Sequence, residues 1–250
     1  KLLSSPGEKS PIVVGITGTG GAGKSSLTDE LLRRFLADRT EQRVAVISID
    51  PTRKRTGGAL LGDRIHMNSA RNERCFVRSL ATRQAGAEIS KSVAPAIALC
   101  KSAGYDLVIV ETSGIGQGSS AITEVSDLHI YVMTPEYGAA TQLEKIDMLD
   151  FADWVVVNKF ERSQGPDALK EVETVLRRNR FGGLPPKNND YPVYGTIASR
   201  FNDDGVSGLY KSLATKLLIQ TKLKVENLSK DYGSVKAVKS ISFELKEDNP

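Results

Sequence analysis

The chain alternates between short, nearly continuous apolar runs and longer stretches in which apolar residues recur every three or four positions. The first run, PIVVGIT, predicts a buried strand at Ile12–Thr17. After a glycine-rich turn, SSLTDELLRRFLADR puts Leu27, Leu31, Leu32, Phe35 and Leu36 on one helical face. RVAVISID predicts a second strand, Val44–Ile49, running into Asp50. Further along, Leu107–Val110, Leu128–Met133, Trp154–Val157 and Val193–Ile197 read as strands. Gly86–Ala103, Gln142–Phe151, Asp167–Asn179 and Gly208–Ile219 read as helices. Strands apolar on both faces, separated by amphipathic helices, predict an α/β fold: a mostly parallel sheet with helices on both faces. Such sheets bind ligands at the carboxyl ends of their strands, so the chemistry is expected there. Residues 1–10 are polar and read as the end of a linker.

Composition narrows the function classes. The 250 residues are 40% hydrophobic and 26% charged, an ordinary globular balance that excludes wholesale disorder. Lys and Arg exceed Asp and Glu by 34 to 30, too little and too dispersed for a nucleic-acid surface. No apolar run reaches the ~18 residues a bilayer requires, and no leader opens the chain, so no membrane partner and a cytoplasmic location are expected. Cys75 and Cys100 lie far apart without metal-ligand spacing, which suits reduced thiols.

The strongest motif is Gly18-Thr19-Gly20-Gly21-Ala22-Gly23-Lys24-Ser25, which fits G-x-x-x-x-G-K-[ST] between a strand and a helix. It identifies the fold as a P-loop NTPase. The amides of Gly20, Gly21, Ala22, Gly23, Lys24, Ser25 and Ser26 would turn toward phosphate oxygens. Lys24 would reach the β- and γ-phosphates, and the Ser25 hydroxyl would bind magnesium. Asn158-Lys159-Phe160-Glu161 resembles the N-K-x-D element of GTPases, with Glu161 one methylene longer than the usual Asp. A carboxylate there accepts the paired hydrogens of guanine, which adenine lacks. Ala198-Ser199 follows the strand where GTPases offer an amide to the guanine oxygen.

Glu111-Thr112-Ser113-Gly114 stands where small GTPases have D-x-x-G. Glu111 is expected near magnesium and Gly114 near the γ-phosphate. Ile115 replaces the usual water-orienting Gln, leaving Gln117 as the candidate; without such a group, intrinsic hydrolysis is slow and a partner completes the site. Lys24, Glu111 and Gln117 are the catalytic candidates. After Asp50, PTRKRTGGALLGDRIHM reads as a moving switch segment or a solvated basic loop. Asp50 and Asp63 would lie near the metal, and His66 would either contact phosphate or serve the structure.

Together GITGTGGAGKSSLTDEL, ISIDPTRKRTGGALLGDRIHM, VRSLATR, IVETSGIGQ, YVMTPEYGAATQLEKIDMLDFAD and VVNKFE resemble the GTPases that serve adenosylcobalamin-dependent acyl-CoA mutases. The wording is similar to the G-protein domain of fused isobutyryl-CoA mutases and to the free-standing MeaB-type chaperones, over about residues 10–219. The resemblance implies a GTPase whose GTP use gates adenosylcobalamin loading or editing in a partner mutase. It implies GTP/GDP at the phosphate loop and at Asn158–Glu161, and Mg2+ at Ser25, Asp50, Asp63, Glu111 and Thr112. The implied partners are the mutase and its cobalamin-binding domain, with a homodimer also open. Adenosylcobalamin is expected only through that partner. The alternatives are a metallochaperone GTPase, which ought to carry a Cys- or His-rich delivery site, and a regulatory GTP-binding module without useful turnover. Asp127-Leu128-His129 imitates the start of the cobalamin signature D-x-H-x-x-G, but Val132 replaces its glycine and the segment lies in a strand, so it is read as structural.

From Thr221 the text changes. Leu223–Asn227 and Ser240–Leu245 read as strands around a Tyr-Gly turn and resemble the opening of an ABC-transporter ATPase, with no second phosphate loop. The organisation expected is a linker at 1–10, a GTPase domain at 11–220, and at 221–250 an appended fragment without function of its own, or a natural hairpin.

Overall fold

The computed structural model describes residues 11–51, 67–82, 92–112, 114, 120–220, 224–232 and 235–244. Seven strands build one sheet: β1 (Ile12–Gly18), β2 (Val44–Pro51), β3 (Cys75–Thr82), β4 (Leu107–Glu111), β5 (Leu128–Met133), β6 (Trp154–Asn158) and β7 (Val193–Thr196). Their order is β3-β2-β4-β1-β5-β6-β7, and every neighbouring pair is parallel. Parallel pairing puts all carboxyl ends on one edge of the sheet. The chain first builds outward from β1 to one side, then crosses to β5 on the other, so the turn after β1 lies at the switch point.

Parallel neighbours require crossover connections, and those leaving β1, β3 and β6 carry helices that pack on the sheet. α1 (Lys24–Asp38) buries Leu27, Leu31, Leu32, Phe35 and Leu36, the face its spacing predicts. On the opposite side of the sheet, Ile47, Ile49, Val108 and Val110 pack with Val93, Ile97 and Cys100 of α2 (Val93–Ser102). The same cluster takes in Leu143 of α3 (Ala140–Leu143), Met148 and Leu149 of α4 (Met148–Phe151), and Ala168, Val172, Val175 and Leu176 of α5 (Gly165–Arg180). Helices therefore cover both faces. Emptying one such buried leucine costs about 2–5 kcal/mol.

Three elements depart most from the sequence reading. The segment at Cys75–Thr82, not predicted, is the edge strand β3: Cys75 and Val77 are buried while Phe76 and Arg78 are exposed. The helix expected over Gln142–Phe151 is two four-residue pieces, α3 and α4. The helix expected over Gly86–Ala103 is observed as Val93–Ser102, and residues 86–91 of that expectation lie outside the described residues. Both cysteines are free and buried. Burial, with Asp29 adding to it, pushes the Cys75 thiol up to about 11, and burial also raises Cys100.

The chain divides into two compact units, Lys1–Tyr210 and Lys211–Pro250. The parallel sheet belongs wholly to the first. A last helix, α6 (Asp204–Gln220), starts in the first unit and ends in the second. The second also holds an antiparallel hairpin, β8 (Lys224–Tyr232) and β9 (Val235–Glu244), with Tyr232 opposite Val235. These strands are longer than the sequence pattern predicts. No helix among the described residues is long and apolar enough to cross a membrane.

Candidate functional site

The segment after β1 turns back on itself before α1. Gly23 takes φ +84° as the residue preceding the helix, and a Cβ on it would stand 2.5 Å from Asn158 Nδ2. Only glycine fits both demands. The loop is thereby brought against the end of β6. Lys24 opens α1, is buried, and sends its Nζ back over the loop to donate to the carbonyls of Gly18 (3.2 Å) and Thr19 (2.9 Å). Gly20 and Gly21 are exposed, as is Ser26. Thr19 Oγ1 is buried and finds no hydrogen-bond partner among the described residues.

At the second helical position, Ser25 donates its hydroxyl to Glu111 Oε1 at 2.6 Å. Glu111, the last residue of β4, is buried, and its other oxygen lies 3.0 Å from the Thr28 hydroxyl. Thr112 donates to Thr17 Oγ1 at 2.8 Å, which fastens the end of β4 to the end of β1. Gly114 takes φ +71° close to Lys24 Nζ and the Gly18 and Thr19 carbonyls.

On the other side of the loop, Asn158 ends β6. Its Nδ2 donates to the Ala22 carbonyl at 2.7 Å; its Oδ1 accepts from Thr196 Oγ1 and from the Ala198 amide, both at 3.0 Å. The Ala198 N–H, expected to face a base oxygen, is thus directed at Asn158. Lys159 holds φ +60°, and Phe160 N donates to Thr196 O at 3.0 Å, so β6 and β7 turn out of the sheet together. Glu161 and Ser199 are exposed beside these turns, and Lys159 is half-buried.

The described candidates therefore converge on one edge: the phosphate loop, with Glu111 and Thr112 on one flank and Asn158, Lys159, Glu161, Ala198 and Ser199 on the other. Asp63, His66 and Gln117 lie outside the described residues, and of Asp50 only the backbone, within β2, is described. Sequence reasoning missed Thr28, Thr17 and Asp203. Asp203 Oδ1 accepts from Ile197 N (3.2 Å) and Val206 N (2.9 Å), joining the turn after β7 to the start of α6. Only the Asp203 position, just before a helix, had a sequence signal. The declined cobalamin motif is engaged within the fold: Asp127 Oδ2 accepts from Val13 N at 2.8 Å, and the His129 ring lies 3.3 Å from Asp153.

The profile of one family, described as methylmalonyl Co-A mutase-associated GTPase MeaB, matches residues 1–215. The chain belongs to the MeaB family. The MeaB chain is 61% identical over 206 residues to the fused isobutyryl-CoA mutase of Cupriavidus metallidurans, covering 82% of itself and 19% of that protein. It is 37% identical over 201 residues to the mitochondrial methylmalonic aciduria type A homolog of Caenorhabditis briggsae, covering 80% of itself and 48% of that protein. The MeaB chain thus spans about a fifth of the fused mutases it matches. Among solved structures, HypB from Helicobacter pylori in complex with nickel shares the fold, with a TM-score of 0.63 at 13% identity over 85% of this chain and 90% of that one. The MeaB fold is that of P-loop GTPases, as the glycine-rich motif predicts.

Proposed function

We propose that this chain binds and hydrolyses GTP with magnesium and, through that cycle, gates adenosylcobalamin loading or editing in an acyl-CoA mutase of the isobutyryl-CoA type. One observation carries the chemical part. The loop containing Lys24 is braced from both sides, by Glu111 through Ser25 and by Asn158 through Ala22. A phosphate site and a base site joined by direct hydrogen bonds suit a nucleoside triphosphate lying across them. The partner is supported by the high identity to enzymes in which such a segment is part of a mutase.

In this reading Lys24 exchanges its Gly18 and Thr19 carbonyl acceptors for β- and γ-phosphate oxygens. The loop amides from Gly20 to Ser26 bind the phosphates and the charge that develops between them. The donor set near the loop, a serine hydroxyl with a buried carboxylate, consists of hard oxygens and fits magnesium. Ser25 would hold the ion, with Asp50, Asp63, Glu111 and Thr112. Magnesium, when bound, neutralises charge on the β- and γ-phosphates. Asn158 keeps the phosphate loop and the base loops in register, while Lys159 and Glu161 face the base and Glu161 selects guanine. Ser199, with Ala198, completes the base side, and His66 contacts phosphate. Gln117 orients the attacking water, whose oxygen bonds to the γ-phosphorus as the bond to the β–γ bridging oxygen breaks.

The test is single-turnover GTP hydrolysis and cobalamin exchange, each with and without an isobutyryl-CoA mutase core. The expected result is slow hydrolysis alone, accelerated at least tenfold by the mutase, with exchange dependent on GTP. Rates indifferent to the mutase would overturn the chaperone reading.

A further inference from the structure

Glu111 is longer than the aspartate common at the corresponding strand end of small GTPases, and a longer side chain has more ways to turn. In this fold both its oxygens are tied to α1. Oε1 accepts from Ser25 at 2.6 Å and Oε2 from Thr28 at 3.0 Å. Ser25 and Thr28 are three positions apart, so one face of the helix presents two hydroxyls to one carboxylate. Thr28 is fully buried, and its hydroxyl also lies 3.0 Å from the Lys24 carbonyl. One proton cannot serve both acceptors fully; the carboxylate is the stronger. The neighbourhood is polar on β2 as well. Ser48 is the register partner of Glu111, hence on the same face of the sheet. Its Oγ is buried and finds no hydrogen-bond partner among the described residues.

From this we infer that Thr28 is a positioning residue for magnesium–nucleotide binding. By holding the far oxygen of Glu111, it keeps the near oxygen on the Ser25 hydroxyl proton. With its proton on Glu111, Ser25 Oγ turns its lone pairs away from that carboxylate. Thr28 itself, buried one helical turn behind Ser25, touches neither ion nor nucleotide. This rests on the GTP reading above, and predicts a hydroxyl requirement at a position remote from the phosphates.

The experiment titrates the full chain with a fluorescent non-hydrolysable GTP analogue, in magnesium and in EDTA, for wild type, Thr28→Val and Thr28→Ser. The readout is the ratio of the two affinities. Thr28→Val keeps the shape and removes the hydroxyl, so the ratio is expected to fall about tenfold, the lower end of effects seen when a group supporting a metal ligand is lost. Thr28→Ser is expected to restore it. If Thr28→Val melts below the assay temperature, Thr28→Ala is read in the same way against Thr28→Ser. A folded Thr28→Val or Thr28→Ala chain that keeps the wild-type ratio overturns the inference, as does a Thr28→Ser chain that behaves like the valine variant. A wild-type chain that binds the analogue in neither buffer overturns the GTP reading itself, a result distinguishable from failure of Thr28 alone.

Discussion

Gly114 adopts φ +71°, and a Cβ built there would overlap Lys24 Nζ and stand 2.8 Å from the Gly18 carbonyl. That carbonyl and the Thr19 carbonyl are the acceptors of Lys24. An alanine at this position meets two penalties: a left-handed backbone, about 1–3 kcal/mol for a non-glycine residue, and the loss of room for the ammonium group. The relief available is to displace Lys24 or to swing the end of β4 away from the loop. Either change spoils a phosphate site. Gly114→Ala is therefore expected to weaken GDP and GTP binding at least tenfold while the sheet still folds. Calorimetric titration beside a thermal melt checks this, and wild-type affinity in the alanine variant would contradict the close approach.

The start of α6 depends on a carboxylate that does two things. Asp203 Oδ1 accepts from the third helical amide, Val206 N, at 2.9 Å, and from Ile197 N at 3.2 Å in the turn after β7. Asp203→Ala is expected to cost about 1–2 kcal/mol in urea unfolding, with Asp203→Asn, which keeps an acceptor, close to wild type; equal midpoints for all three chains would refute the cap. Elements with unbroken apolar runs were legible in the sequence, because burial on both faces leaves no other pattern. β3 was not, since it buries one face only and Phe76 puts an apolar residue on the exposed face, which blurs the alternation of Cys75-Phe76-Val77-Arg78. The helix expected over Gln142–Phe151 failed for a readable reason. Leu143, Ile146, Leu149 and Ala152 are all buried at intervals of three. Ile146 N donates to Leu143 O and Leu149 N to Ile146 O, the i→i+3 pattern of tight turns. In the site, the phosphate loop was legible because its residues are contiguous. The pairing of Thr28 with Glu111 spans 83 positions and the pairing of Asn158 with Ala22 spans 136, and no local pattern encodes either.

Lys24, Ser25, Glu111, Asn158 and Ala198 all lie within the Lys1–Tyr210 unit. So does every strand of the parallel sheet. The family match ends at residue 215, before the hairpin begins at Lys224. β8 and β9 pair with each other and form a sheet of their own. A two-stranded hairpin taken by itself is at best marginally stable in water. The helix that crosses the boundary between the units ends at Gln220, and a cut there keeps it whole. A chain ending at Gln220 is thus expected to melt within about 2 °C of the full chain, a shift that would correspond to roughly 0.5–1 kcal/mol for a domain of this size. It is also expected to bind GTP with the same affinity and to respond to the mutase to the same extent. Differential scanning fluorimetry and nucleotide titration on the two chains decide the matter. A lower melting point would mean that the hairpin supports the GTPase fold, and a changed GTP affinity alone would mean that residues 221–250 act on the nucleotide site.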